Sequence, residues 1–78
     1  MMENAYVLIT TEMIDRHEEA LQALRDNGSI KEAYAVSGVY SIIAILEAES
    51  MVELKNTVST DIRGLPGVKS TLTMVVTS

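Results

Sequence analysis

Ser41-Ile42-Ile43-Ala44-Ile45-Leu46-Glu47-Ala48 is the stretch that decides the fold. It is rich in β-branched residues and reads as a strand. Alternation puts Ile42, Ala44 and Leu46 on one face and Ile43 and Ile45 on the other, so both faces are apolar. The run is far shorter than the ~20 residues a membrane-spanning helix needs. Immediately upstream, Ile30 to Ser37 reads as another strand, and Gly38 breaks it. The short link makes the two a hairpin. Further out, Met13 to Asn27 changes period. Met13, Ile14, His17, Ala20, Leu21 and Leu24 recur at helical spacing, with Arg16, Glu18, Glu19, Gln22 and Arg25 on the opposite face. Glu12 and Arg16 stand at i, i+4 in the favourable order. Asn27-Gly28 supplies the stop, because Gly accepts the left-handed conformation without a steric penalty. Ala5 to Thr11 is a first strand, again apolar on both faces.

Downstream, Ser50-Met51-Val52-Glu53 is a capping box: the Ser hydroxyl accepts from the Glu53 N–H and the Glu carboxylate reaches back. It opens a helix expected to bury Met51, Leu54, Val58, Ile62 and Leu65, ended by Pro66-Gly67. Val68 to Thr77 is the last strand. Leu72, Met74 and Val76 lie on one face, Thr71, Thr73 and Val75 on the other. The order βαββαβ is an approximate internal duplication, with Ile30-Lys31 and Val68-Lys69 in equivalent places. It predicts one ferredoxin-like α+β domain over residues 1–78: a four-stranded antiparallel sheet with two helices on one face.

With helices on one face only, the other should be polar. The doubly apolar strands predict instead an exposed apolar sheet face, and such patches mark interaction surfaces. A chain of 78 residues buries only ~60–65% of its unfolded surface, and small folds usually recruit disulfides, a metal or a partner. There is no Cys and only one His, which leaves a partner subunit. The expected assembly is a homodimer packed sheet to sheet, in the manner of a dimeric α/β barrel.

Net charge is −5 and the six basic residues are scattered, so direct nucleic-acid binding is not expected. No basic, apolar leader precedes the first strand, and a soluble cytoplasmic protein without membrane association is expected. Little points to catalysis. His17 has no marked partner to make it a general base, Glu18-Glu19 sit on a solvated helix face, and Glu47 and Glu49 flank a strand end. Gly38, Gly64 and Gly67 fit no phosphate-binding spacing. The chain is read as a non-enzyme that needs no cofactor or metal. The loop Val36-Ser37-Gly38-Val39-Tyr40-Ser41 has two readings. Gly38 is simply a turn residue, or it lets backbone N–H groups approach a small anion while Tyr40 forms a wall.

Three segments carry a family resemblance: Val36-Ser37-Gly38-Val39-Tyr40-Ser41-Ile42-Ile43, Leu65-Pro66-Gly67-Val68 and Thr71-Leu72-Thr73-Met74-Val75-Val76. Together, over residues 5–77, they resemble the RAM domain, the effector-binding and oligomer-forming module of Lrp/AsnC-type feast/famine transcription regulators. The full regulators add a helix-turn-helix domain that these 78 residues do not contain, so the resemblance is to a stand-alone RAM domain. It implies dimers joined into a ring and a small amino acid bound where hairpin loops meet between dimers. The implied site is Gly38, Val39, Tyr40 and Ser41 of one subunit, with Thr73, Met74 and Val75 across the contact. It also implies a role in transcriptional regulation, through self-assembly or by joining a full-length Lrp/AsnC-type regulator. The family usually carries Asp at the position of Ser41; a hydroxyl there hydrogen-bonds but brings no charge. An assembly-only scaffold and a small dimeric ferredoxin-like enzyme stand as alternatives.

Overall fold

Parity sorts the first strand. A computed structural model describes residues 2–12 and 14–77, with side chains for all of these except 14–16. In β1 (Glu3–Thr11), Ala5, Val7 and Ile9 are fully buried, while Tyr6 and Leu8 point the other way. β1 is followed by α1 (Ile14–Asp26), β2 (Ile30–Ala35), β3 (Ile42–Ala48), α2 (Met51–Asn56) and β4 (Val68–Val75). The strands lie in the order β2-β3-β1-β4, every neighbouring pair antiparallel. Ile30 and Val68, the equivalent residues of the two halves, each open an edge strand.

The buried side of the sheet carries Val7, Ile9, Ala33, Ile42, Ala44 and Leu46. Against it pack Ala20, Leu21 and Leu24 of α1 and, after α2, Val58 and Ile62. Leu54 is also fully buried. His17 is half-buried at the border of α1. The helix positions expected at Met13 and for the side chains of Ile14 and Arg16, including the Glu12–Arg16 pair, lie outside the described residues. Arg25, in the last turn of α1, donates through Nε to the Ala33 carbonyl of β2 at 3.0 Å.

The other side of the sheet has no helix over it, and registry shows what it displays. One row crosses all four strands as Tyr34–Ile43–Leu8–Leu72, and the next as Glu32–Ile45–Tyr6–Met74. Seven of these eight side chains are apolar or aromatic. Tyr6, Tyr34, Leu72 and Met74 are each more than 40% exposed. This is the exposed apolar face that the doubly apolar strands predicted. Glu32 is its polar member. It accepts a hydrogen bond from the Tyr34 hydroxyl, and that bond, with the carboxylate's charge, raises the Tyr34 pKa above its usual value.

Half of the capping box forms: Ser50 Oγ accepts from the Glu53 N–H at 3.2 Å. Among the described residues no bond returns from the Glu53 carboxylate to the Ser50 N–H. The helix then departs from the simple expectation. After Asn56 it widens into a π-helical segment over Thr57–Ile62, where the Arg63 N–H reaches back five residues to the Val58 carbonyl at 3.0 Å. Leu65 is only partly buried, packed against the core rather than within it, and Met51 is half-buried.

Gly67 has φ of 86°, a region L side chains avoid, and its carbonyl accepts from the Glu12 N–H at 2.8 Å. That turn fixes the start of β4 against the end of β1. Gly67→Ala should therefore cost about 1–2 kcal/mol. It should lower the urea midpoint while leaving the m-value unchanged.

Candidate functional site

The hairpin between β2 and β3 leaves the sheet ladder at Val36 and rejoins it at Ser41. The Val36 N–H donates to the Ser41 carbonyl at 2.9 Å and closes the loop. β2 thus ends at Ala35, two residues short of the expected Ser37, and the residues between belong to the loop. Gly38 sits at φ of 140°, and a Cβ placed there meets nothing within 4 Å. Its importance is conformational and one of access, not of crowding. Among the described residues, no hydrogen bond within the chain uses the N–H groups of Ser37, Gly38, Val39 or Tyr40. Val39 is 88% exposed at the tip and Tyr40 is half-buried behind it.

Ser41 is anchored from two sides. Its N–H donates to the Ile9 carbonyl at 2.9 Å, and its Oγ accepts from the Thr11 N–H at 3.5 Å. These bonds hold the loop over the corner where β1 runs into α1. The result is an open depression of about 540 Å³ lined by Val36, Gly38, Tyr40 and Ser41 on the loop side and Thr11, Glu12, His17 and Glu18 on the corner side. Sequence reading found the loop half and missed the corner half. No local motif marks Thr11, Glu12, His17 and Glu18; the long-range bonds of Ser41 to Ile9 and Thr11 bring the loop to them. Two of these four lining residues, Glu12 and Glu18, carry carboxylates.

The second half of the expected site is elsewhere in the chain. Thr73 pairs with Val7 and Val75 with Ala5, so both face the helix side, at the β4 edge. There they line a groove of about 400 Å³ with Leu54, Lys55, Val58, Ser59 and Arg63. Met74 pairs with Tyr6 and lies on the opposite, open face. One chain therefore does not bring Gly38–Ser41 together with Thr73–Val75: Ser41 meets β1 at Ile9 and Thr11, whereas Thr73 and Val75 pair with Val7 and Ala5 further along that strand. Thr73 and Val75 can form one wall, and Met74 cannot share it.

Among the described residues no group of three or more His, Asp or Glu is placed to hold a metal. No described helix is long and apolar enough to cross a membrane. His17 lies in the depression beside Glu18, with no hydrogen bond among the described residues that would position it as a base.

A search of curated protein sequences found no match. Among solved structures, TTHA0845 from Thermus thermophilus superposes with a TM-score of 0.90 at 28% identity, over 100% of this chain and 95% of that one. AsnC of E. coli superposes with a TM-score of 0.90 at 24% identity, over 97% of this chain. Only 51% of AsnC is covered, so this chain spans about half its length. The transcriptional regulator NMB0573 of Neisseria meningitidis, solved as a complex with L-Met, gives a TM-score of 0.87 at 14% identity, over 97% of this chain and 50% of that one. At those two identities the likeness is one of fold. The sequence itself matches the model of the Lrp/AsnC ligand binding domain over residues 4–78. A match over nearly the whole chain, on a βαββαβ frame shared with AsnC, means that the protein belongs to the Lrp/AsnC ligand-binding domain family.

Proposed function

We propose that this domain is a non-enzymatic sensor: it binds a small amino acid at the hairpin loop and links occupancy to assembly. The observation that carries the reading is the loop itself. Among the described residues the N–H groups of Ser37, Gly38, Val39 and Tyr40 have no partner within the chain, and the depression beside the loop is lined by Glu12 and Glu18. A zwitterion needs that combination: donors for its carboxylate, acceptors for its ammonium and a partly apolar wall for its side chain. Val36 and Tyr40 offer the wall, and the Ser41 hydroxyl and the rim carboxylates offer acceptors. Thr73 and Val75 of a neighbouring dimer would complete it. NMB0573, of the same fold, was solved with L-Met, which makes a small amino acid the natural class to test first.

The apolar rows Tyr34–Ile43–Leu8–Leu72 and Ile45–Tyr6–Met74 supply the dimer contact, sheet against sheet, and dimers associate further into a ring. The role is in transcriptional regulation, through self-assembly or by joining a full-length Lrp/AsnC-type regulator. The domain carries a net charge of −5, and both its helices pack on its own sheet, so DNA contact comes through the regulator.

Native mass spectrometry with and without a panel of amino acids, L-Met among them, tests this. The wild type should exceed a dimer and gain one amino-acid mass per occupied site. Gly38→Val should lose the added mass yet keep the dimer. An assembly that never takes up an amino acid would leave a scaffold without a ligand and refute the sensor reading.

A further inference from the structure

β4 is an edge strand, and half of its backbone polar groups turn outward. The Val76 N–H donates to the Asn4 carbonyl at 2.8 Å, which makes Asn4 and Val76 a hydrogen-bonded pair. Alternation along the register then turns the N–H and C=O groups of Ser70, Leu72 and Met74 toward β1, and those of Thr71, Thr73 and Val75 away from it. Among the described residues nothing bonds to these outward groups. The same three residues send their side chains to the helix side, into the groove that has Leu54 and Val58 buried at its floor and Lys55 and Arg63 exposed above them. Neither cation makes an ion pair among the described residues. Asp61, two residues before Arg63, is engaged elsewhere, accepting from Asn27 Nδ2 at 3.2 Å and from Thr60 Oγ1 at 3.1 Å. Glu12 adjoins only the far end, where its N–H bonds the Gly67 carbonyl before β4 begins.

We propose that the β4 edge takes up an extended acidic segment of another protein as a fifth strand. The proposal goes beyond the sensor reading and does not depend on it. Main-chain pairing with Thr71, Thr73 and Val75 supplies affinity, and the groove beside them supplies specificity. Alternate side chains of the incoming segment fall on the helix side, next to Lys55 and Arg63, where carboxylates match the charge. The others fall on the open side next to Leu72 and Met74, where apolar side chains prolong the rows that cross the sheet. The motif is therefore acidic and apolar residues in alternation, the same read in either chain direction. A second copy of this chain does not supply it. β1 and β3 are interior, and β2 has its outward Ala33 carbonyl taken by Arg25 at 3.0 Å. β4 itself carries Lys69 and no acidic residue, so two β4 edges would set like charges against each other. Thr73 and Val75 are also the wall offered to a neighbouring dimer, so the segment and the neighbour compete for one edge.

Calorimetry with a synthetic peptide that alternates Glu and Val, matched to the 8 residues of β4, tests this. The wild type should bind it. The same peptide with two adjacent central prolines, one of which must face β4, should bind at least ~10-fold more weakly, because Pro offers no main-chain donor. A peptide with Lys in place of Glu should not bind, and Lys55→Glu/Arg63→Glu should reverse that preference. Both side chains are exposed, so the reversal leaves the core untouched. Thr73→Pro removes an outward N–H and no bond to β1, so it should keep the circular dichroism spectrum and lose the peptide. Equal binding of the proline peptide would reduce the effect to charge attraction and overturn strand addition. Equal binding of the Lys peptide would overturn the acidic partner. Failure of the Glu-Val peptide to bind would overturn the proposal, and if Thr73→Pro then abolished self-association, the edge would belong to a second copy. Uptake of an amino acid at the hairpin loop is untouched by any of these results.

Discussion

Ile43→Asp should be monomeric at concentrations where the wild type is dimeric, with an unchanged far-UV circular dichroism spectrum. Ile43 stands second in the row Tyr34–Ile43–Leu8–Leu72, in the middle of the uncovered face. Each large apolar side chain fully removed from water contributes about 1.5–3 kcal/mol. The substitution removes one such side chain from each copy. It also asks each face to bury a carboxylate, at an effective cost of several kcal/mol unless paired. A net loss of ~4 kcal/mol weakens dimerisation by ~10³-fold. Ile42, one residue earlier, is fully buried against the helices, so Ile42→Asp should unfold the chain instead. The pair separates a lost interface from a lost fold. Equilibrium sedimentation measures it, and an Ile43→Asp dimer within tenfold of wild-type strength would end the sheet-to-sheet model.

Ser41→Asp should tighten amino-acid binding by about 5- to 10-fold. A neutral hydrogen bond contributes about 0.5–1.5 kcal/mol net and one to a charged group about 1.5–3, so exchanging a hydroxyl for a carboxylate gains ~1 kcal/mol. The carboxylate can keep the bond that Ser41 Oγ now accepts from the Thr11 N–H. It also joins Glu12 and Glu18 around one depression. Like charges there lower the stability of the empty domain and favour a ligand that brings an ammonium group. Calorimetry on both proteins with the common amino acids decides the matter. Tighter binding by Ser41→Asp supports the hairpin loop as the ammonium-binding side. Weaker binding, or none by either protein, removes the loop as the effector site.

The architecture could be read from Ser41–Ala48 and its neighbours because apolar period and turn chemistry are local signals. Element order, the covered side and the doubly apolar sheet follow from them, and the register of Tyr34, Ile43, Leu8 and Leu72 agrees. The π-helical stretch could not be read. Leu54, Val58 and Ile62 keep the same spacing whether the turn is tight or wide. Hydroxyl bonds accompany it, Thr57 Oγ1 donating to the Glu53 carbonyl at 3.1 Å and Thr60 Oγ1 to the Asn56 carbonyl at 2.6 Å, and apolar spacing does not foretell them. The loop half of the candidate site was visible in Gly38. The corner half was not, because a bond between residues 9 and 41 assembles it. Strand alternation alone already separates Met74 from Thr73 and Val75, so a wall made of all three was never available to one face.

Arg25 has a consequence beyond joining α1 to β2. The Ala33 carbonyl it holds at 3.0 Å belongs to an edge strand, and Ala33 pairs with Ala44 at a position whose backbone groups point away from β3. An incoming strand would need that carbonyl. β2 is therefore stoppered against strand addition, while β4, at the far edge, carries no such plug among the described residues. Amyloid-like growth requires every added unit to present a fresh edge. A sheet with one edge stoppered can be extended once, edge to edge, and then has nowhere to continue. Arg25 thus occupies a β2 carbonyl that a fibre would have to recruit, a partial guard at that edge in a chain rich in isoleucine and valine.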